Sequence, residues 1–304
     1  MKELIIWYYQ LPINQLEQIK DMFYTRLGDR YIYIIAVGPE KNTVFFHLLQ
    51  FLQFSTRQKL LLSKDQTTTV LFEGKHYYVL ESLDPLHVPI DLKTLEIPVI
   101  YPEPFPIASH FKERWLNKNR LHEEQLSAAL DLLDNNRKTV LFDLATFYIH
   151  LNEQAYTYIN ELGELPFSIS LCHVRLTPDT LKYECFSPEY LVLDNKCRSY
   201  CEYLRHLYLD MEDLDAVSQA ISTINQVSPL TAQEWAFLYT RLFFPTHFYD
   251  TLHSIRSSEM VDFSRLYEQA ASYTKLLYQV PFEAYHQNNI SLRVPEWIRD
   301  EIFN

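Results

Sequence analysis

The side chains most able to do chemistry gather just past the middle of the chain, in Leu171-Cys172-His173-Val174-Arg175-Leu176-Thr177-Pro178-Asp179-Thr180. His173 could move a proton near neutral pH. It stands in an apolar, strand-like run, however, where a histidine is more often a hydrogen-bonded core residue. Asp179 could act as the base for an attacking hydroxyl. Thr177-Pro178-Asp179 reads rather as the start of a turn or helix, where Pro and Asp are favoured. Arg175, between the two, cannot be a base, because a guanidinium keeps its charge at any ordinary pH. Further on, Glu189 and Asp194 could hold a cation, or could simply close a strand or a turn.

Other chemistries fail on spacing. No G-x-S-x-G is present, and His247 and His253 stand six apart rather than four, so neither a nucleophile elbow nor an H-E-x-x-H zinc pattern exists. The cysteines Cys172, Cys185, Cys197 and Cys201 form no C-x-x-C and read as buried reduced thiols.

The elements that must position these residues follow from periodicity. Ile13, Leu16, Ile19, Met22, Phe23 and Leu27 recur at steps of three and four, which predicts a helix over 13–26 ended by Gly28-Asp29. Tyr31 to Val37 is β-branched and aromatic and predicts a strand. Val44 to Phe54 reads as an apolar helix. Thr67–Phe72 and His76–Leu80 flank Glu73-Gly74-Lys75 and predict a hairpin. Residues 83–106 hold six prolines and read as an extended connection. Beyond it, helices are predicted over 109–133, 139–162, 197–209, 212–226, 231–256 and 262–278. Strand-like runs at 167–174 and 190–193 interrupt them. The organisation expected is therefore an α+β unit at 1–83, a proline-rich connection at 84–106 and a helical unit at 107–304.

Length and composition agree with two lobes. The chain has 304 residues, above the usual single-domain size. Twenty-two Tyr and nineteen Phe stand against four Gly, so the core is large and flexible backbone positions are few. A net charge of −12 argues against generic nucleic-acid binding and against docking on anionic membranes. The first ten residues have too short an apolar run for a signal peptide, and no stretch approaches the ~18 apolar residues of a membrane span, so no membrane insertion is expected.

Three runs carry a family resemblance. Cys172-His173-x-Arg175 precedes a loop. Pro188-Glu189-Tyr190-Leu191-Val192-Leu193-Asp194, followed by Glu202-Tyr203-Leu204-Arg205, resembles a metal-loop strand and the helix after it. Trp235-x-x-Leu238-Tyr239-x-Arg241-Leu242-Phe243-Phe244-Pro245-x-His247-Phe248 resembles a helix pair of the spore coat kinase-like proteins of the CotS and YutH type, with YutH-like proteins nearer. The resemblance implies a bilobal protein-kinase-like fold of the aminoglycoside phosphotransferase kind, with a small α+β N-lobe and a larger, mostly helical C-lobe.

The same resemblance implies a degenerate site. In active relatives the loop reads His-x-Asp with an Asn five residues later; the Asp takes the hydroxyl proton and the Asn holds magnesium. Here those positions are Arg175 and Thr180, with His173 left as the brace and Asp179 as the one nearby carboxylate. No G-x-G precedes residue 74, the strand 31–37 has no Lys, and the helix 44–53 has no Glu to pair with one. The expectation is a catalytically degenerate, non-enzymatic protein without a cofactor. It would be made in the mother-cell cytoplasm, assigned to the spore coat and engaged with other coat proteins. The alternatives are a small-molecule binder using an interlobe cleft, or an atypical phosphotransferase using Glu189, Asp194 or Asp179. The run from Trp235 to Phe248 reads as dense core packing or, in part, as a partner surface.

Overall fold

The computed structural model describes residues 1–19, 22–37, 58–83, 85, 92, 95, 97–98, 112–163, 169–173, 176, 191–256 and 261–303. Compactness divides the chain into two units. One comprises Met1–Phe105 with Ile169–Leu193, and the other Pro106–Ser168 with Asp194–Asn304.

The first unit is built on a six-stranded antiparallel sheet. Its strands are β1 (Glu17–Ile19), β2 (Met22–Leu27), β3 (Arg30–Val37), β4 (Gln58–Leu61), β5 (Val70–Phe72) and β6 (Lys75–Ser82). The order is β1-β2-β3-β6-β4, with β5 also paired to β6. Side chains alternate in β3, and both faces are buried: Ile32 and Ile34 on one, Tyr33 and Ile35 on the other. A short helix α1 (Lys2–Leu4) runs into a π-helical turn at Ile5–Tyr9. It packs Leu4, Ile5 and Tyr9 against Ile32, Ile34, Tyr77 and Val79. The β5–β6 hairpin turns on Glu73 and Gly74, both at positive φ (49° and 79°), as a two-residue turn between right-twisted strands requires.

The helix predicted over 13–26 is not formed; that stretch holds β1 and β2. The apolar steps of three and four were real but lost to sheet pairing. Phe23-Tyr24-Thr25 is strand-favouring, and a two-residue turn at Gly28-Asp29, with Gly28 at φ 64°, closes β2 on β3 in the register Leu27↔Arg30. The helix predicted over 44–54 lies outside the described residues. A second, three-stranded sheet orders β7 (Ile97–Pro98), β8 (Ile169–His173) and β9 (Leu191–Asn195).

The second unit is helical: α2 (Lys112–Asp131), α3 (Asn135–Glu161), α4 (Cys197–Met211), α5 (Leu214–Val227), α6 (Ala232–Phe243), α7 (Thr246–Arg256), α8 (Phe263–Asn288) and α9 (Glu296–Phe303). Side-chain caps start four of these helices. Asp134 accepts from Arg137 N, Asp213 from Asp215 N and Ala216 N, and Asp262 from Ser264 N and Arg265 N. Thr231 and Glu234 form a reciprocal capping box. α6 lies at the centre, packed by α3, α4 and α8.

At two prolines the helices differ from the sequence reading by more than a few residues. The single helix predicted over 231–256 breaks at Phe244-Pro245. Pro245 drives Phe244 into the extended region at ψ 107°, and α7 starts afresh at Thr246. Conversely, the helix predicted to end at 278 runs through Pro281 to Asn288. A proline leaves the carbonyl four residues earlier without its helical donor. Here that carbonyl, Leu277 O, accepts instead from the Tyr239 hydroxyl at 2.9 Å. The buried tyrosine thus removes much of the cost of the interior proline.

Candidate functional site

β8 carries His173 at its end. The residue is buried, as is Cys172, whose thiol donates to Ser170 O at 3.6 Å. Arg175, Asp179, Thr180 and Glu189 lie outside the described residues. Of the sequence-predicted site residues, His173 and Asp194 therefore have a structural setting. Cys172, Cys197 and Cys201 are buried free thiols, as read from the sequence, and Cys185 lies outside the described residues.

Asp194 sits near the end of β9, just before α4, and has no solvent exposure. Its Oδ1 accepts from the Asn195 N–H at 2.8 Å. Its Oδ2 lies 2.9 Å from Arg198 Nη1 and 3.6 Å from Arg241 Nη1. Local sequence sets this geometry. Asn195 Oδ1 accepts from Cys197 N at 2.9 Å and so starts α4. One helical turn then brings Arg198 back onto Asp194 in an (i, i+4) pair. Arg241 reaches in from α6, itself buried. Burial lowers the Arg241 pKa and Asp194 acts against that, which is the behaviour of a guanidinium whose charge is held by a nearby carboxylate.

The same buried seam continues along α4. Arg205 is fully buried and meets six acceptors. Nε donates to Tyr273 Oη at 3.1 Å. Nη1 donates to Glu202 Oε1 at 2.9 Å and Thr246 Oγ1 at 2.6 Å. Nη2 donates to Cys201 Sγ at 3.5 Å, Arg241 O at 2.6 Å and Phe244 O at 3.1 Å. Tyr273 in turn donates to Leu242 O at 2.7 Å. One arginine and one tyrosine from neighbouring helices thus donate to the carbonyls at the Pro245 break, beside the local bonds from Phe244 N to Arg241 O and Thr246 N to Phe244 O. Burial works against the Arg205 charge, but Tyr273, Cys201 and Glu202 hold its pKa above the ordinary arginine value. Burial pushes Tyr273 up to about 12, with Arg205 pulling the other way. Burial raises the Cys201 thiol as well, so it stays protonated and unreactive at neutral pH. At the start of α4, Lys196 Nζ donates to Ser228 Oγ at 3.1 Å and lies 3.8 Å from Glu234 Oε1.

Reading from sequence picked out Asp194 but not this seam. A signal was present: Arg198, Glu202 and Arg205 recur at steps of four and three among Cys197, Cys201, Leu204 and Tyr208, so the charges share the apolar face of α4. The run from Trp235 to Phe248, left open between core and partner surface, is core. Trp235, Phe237, Leu238, Leu242, Phe243 and Phe248 are all essentially inaccessible.

His206, on the next position of α4, has its pKa lowered, first by burial, with Glu202, Asp210 and Asp250 opposing and Arg205 reinforcing. A histidine depressed in the folded state takes up its proton preferentially in the unfolded chain, so stability falls as pH drops below about 6.5. The melting temperature is expected to decline from pH 7 to pH 5, and His206→Gln to flatten that decline. An unchanged slope in the variant would place the pH sensitivity elsewhere.

The kinase-like fold implies magnesium and nucleotide, and Asp194 does not fit a metal ligand. A carboxylate serving Mg²⁺ presents its oxygens to the ion. Here one oxygen takes a backbone N–H and the other is shared by two guanidinium groups. Among the described residues no group of three or more His, Cys, Asp or Glu side chains converges as a metal site.

Comparison with known proteins identifies the family and the fold. The family model described as Spore coat putative kinase YutH matches residues 112–279, more than half the chain. The chain belongs to this YutH spore coat family. The family match spans the seam from Asp194 to Tyr273 and the whole of α6 and α7. A relative, the endospore coat-associated protein YutH of Bacillus subtilis strain 168, is 31% identical over 123 residues; the match covers 36% of this chain and spans about a third (34%) of the relative's length. Three solved structures share the fold at low identity. An aminoglycoside phosphotransferase from Alicyclobacillus acidocaldarius superposes with a TM-score of 0.61 at 13% identity, covering 90% of this chain and 93% of its own. The spectinomycin phosphotransferase APH(9)-Ia, in complex with ADP and spectinomycin, gives 0.56 at 9% identity, covering 91% and 95%. A microcompartment-associated aminopropanol kinase gives 0.52 at 11%, covering 93% and 94%. The YutH family member described here therefore has the aminoglycoside phosphotransferase-like fold. Among its described residues no helix is long and apolar enough to cross a membrane.

Proposed function

We propose that this YutH family protein is a pseudokinase: a kinase-fold component of the spore coat that acts by binding other coat proteins rather than by transferring phosphate. The observation that carries the proposal is the setting of Asp194, whose carboxylate is committed to Arg198 and Arg241 in a buried structural pair. The sequence supports it from the neighbouring loop, where Arg175 stands at the catalytic Asp position and Thr180 at the metal Asn position of the family resemblance. Phosphoryl transfer depends on positioning and on charge stabilisation by metal and lysine, so a lost base, a lost amide and an ion-paired carboxylate remove most of the rate together. The coat assignment rests on the family and on the coat-associated relative. By this reading the protein is synthesised in the mother cell and deposited on the forespore.

The test is restoration of the base alone. Arg175→Asp is expected to show no ATP turnover above the wild-type background with magnesium and a panel of aminoglycosides and amino alcohols. Measurable turnover by the wild type would overturn the pseudokinase assignment, and turnover by the variant alone would overturn the reading that the rest of the site is lost as well.

A further inference from the structure

A cavity of about 130 Å³ opens between the C-terminal part of α3, the middle of α6 and the segment before α9. Its body is formed by the rings of Tyr158 and Tyr239, whose centroids are 6.1 Å apart, with Leu162, Ala236 and Leu292. The polar groups inside have already given their protons to backbone carbonyls. Tyr158 Oη donates to Arg293 O at 2.8 Å, Tyr239 Oη to Leu277 O at 2.9 Å and Thr240 Oγ1 to Ala236 O at 2.8 Å. The interior therefore offers mostly ring and aliphatic surface. Its charged members are Glu161 and Arg293, paired at 2.9 Å and largely solvent-exposed.

We propose that this cavity binds a single phenol ring. The size fits one six-membered ring, since an apolar cavity of about 150 Å³ takes up benzene, and aromatic walls favour an aromatic guest. The charge pattern selects among aromatics. The Glu161–Arg293 pair presents one acceptor and one donor side by side. A carboxylate would be drawn to Arg293 but opposed by Glu161, and an amine the reverse, so a charged ligand gains little from the pair. A phenol hydroxyl satisfies both, donating to Glu161 and accepting from Arg293. The shared chemistry is that of a free phenol or of a tyrosine side chain from another protein; the chain's own exposed tyrosines Tyr267 and Tyr285 make a second copy one such source. The inference concerns the helical unit alone and does not depend on the pseudokinase reading.

The probe is p-cresol, the tyrosine side-chain analogue, titrated into the full chain and followed by saturation-transfer NMR, with toluene as the isostere lacking the hydroxyl. Saturable binding of p-cresol is expected, at least tenfold tighter than toluene. Leu292→Phe and Ala236→Leu, which fill the cavity from a loop and from a helix, are expected to abolish it while circular dichroism stays unchanged. Glu161→Leu with Arg293→Leu should erase the preference over toluene. Absence of saturation at millimolar p-cresol, binding that survives both filling variants, or equal affinity for toluene would each overturn the proposal. To separate the sources, sedimentation of the wild type is compared with and without saturating p-cresol and with Tyr285→Ser. Association reversed by both assigns the site to a second copy; no effect of either assigns it to a free phenol or a foreign tyrosine.

Discussion

Replacing Asp194 with alanine is expected to lower the unfolding free energy by about 3–5 kcal/mol, the usual cost of removing one member of a buried ion pair. Asp194 is inaccessible, and its partners Arg198 and Arg241 are each nearly so, with 9% of their side chains exposed. Without the carboxylate, two buried guanidinium groups lose their shared counter-charge, and Asn195 N loses its acceptor at the start of α4. At about 2–4 °C per kcal/mol the melting temperature should fall by roughly 10 °C. The sign of the change separates two accounts of this residue. A carboxylate kept for a cation is strained by its own unneutralised charge, so its removal in metal-free buffer would leave stability unchanged or raise it. A structural pair loses stability. Asp194→Leu combined with Arg198→Met and Arg241→Met should recover most of the loss, because well-packed apolar replacements of a buried ionic group are often neutral or better. A stable single variant would show that the carboxylate is available for other work.

Arg205→Met is expected to be at least as damaging, at about 4–5 kcal/mol, read from denaturant unfolding. The substitution fills similar volume but removes the guanidinium that donates to Glu202, Thr246, Arg241 O and Phe244 O. Arg205→Lys should rescue little. One ammonium on a flexible stem cannot reproduce a planar fork that faces acceptors on α4, on the α6–α7 junction and on α8. Adding Glu202→Gln to Arg205→Met should recover part of the loss by removing the charge that Arg205 balances. A loss below about 1 kcal/mol for Arg205→Met, typical of an exposed ion pair, would mean that the Pro245 break is held by other contacts.

Much of this was legible in the residues, and the failures have identifiable causes. The hairpin around Glu73-Gly74, the strand ending at Val37 and the long helices α2 and α3 follow from local pattern and turn chemistry. Local pattern misled at 13–26, because a step of three or four can also arise by chance in a segment whose fate is decided by a partner strand. Prolines were ambiguous for the same kind of reason. Pro245 ends a helix because Arg205 and Tyr273 come from elsewhere to take its freed carbonyls, and Pro281 does not because Tyr239 takes the one it frees. Neither donor is near in sequence. Asp194 was visible as a candidate ligand from its place at a strand end. That its charge is answered by Arg198 was hinted at by helical spacing, whereas the contribution of Arg241, 47 residues later, follows only from the packing of α4 against α6.

Thermal unfolding with and without ATP and magnesium tests the central claim most directly. A ligand that binds the native state alone stabilises it by an amount that grows with the logarithm of concentration over Kd, about 2.7 kcal/mol at a hundredfold excess. The pseudokinase account predicts the same melting temperature at millimolar nucleotide and magnesium as in buffer alone. A rise of several degrees that requires magnesium would contradict it, because the metal would then have found ligands that Asp194, in its pair with Arg198 and Arg241, does not offer.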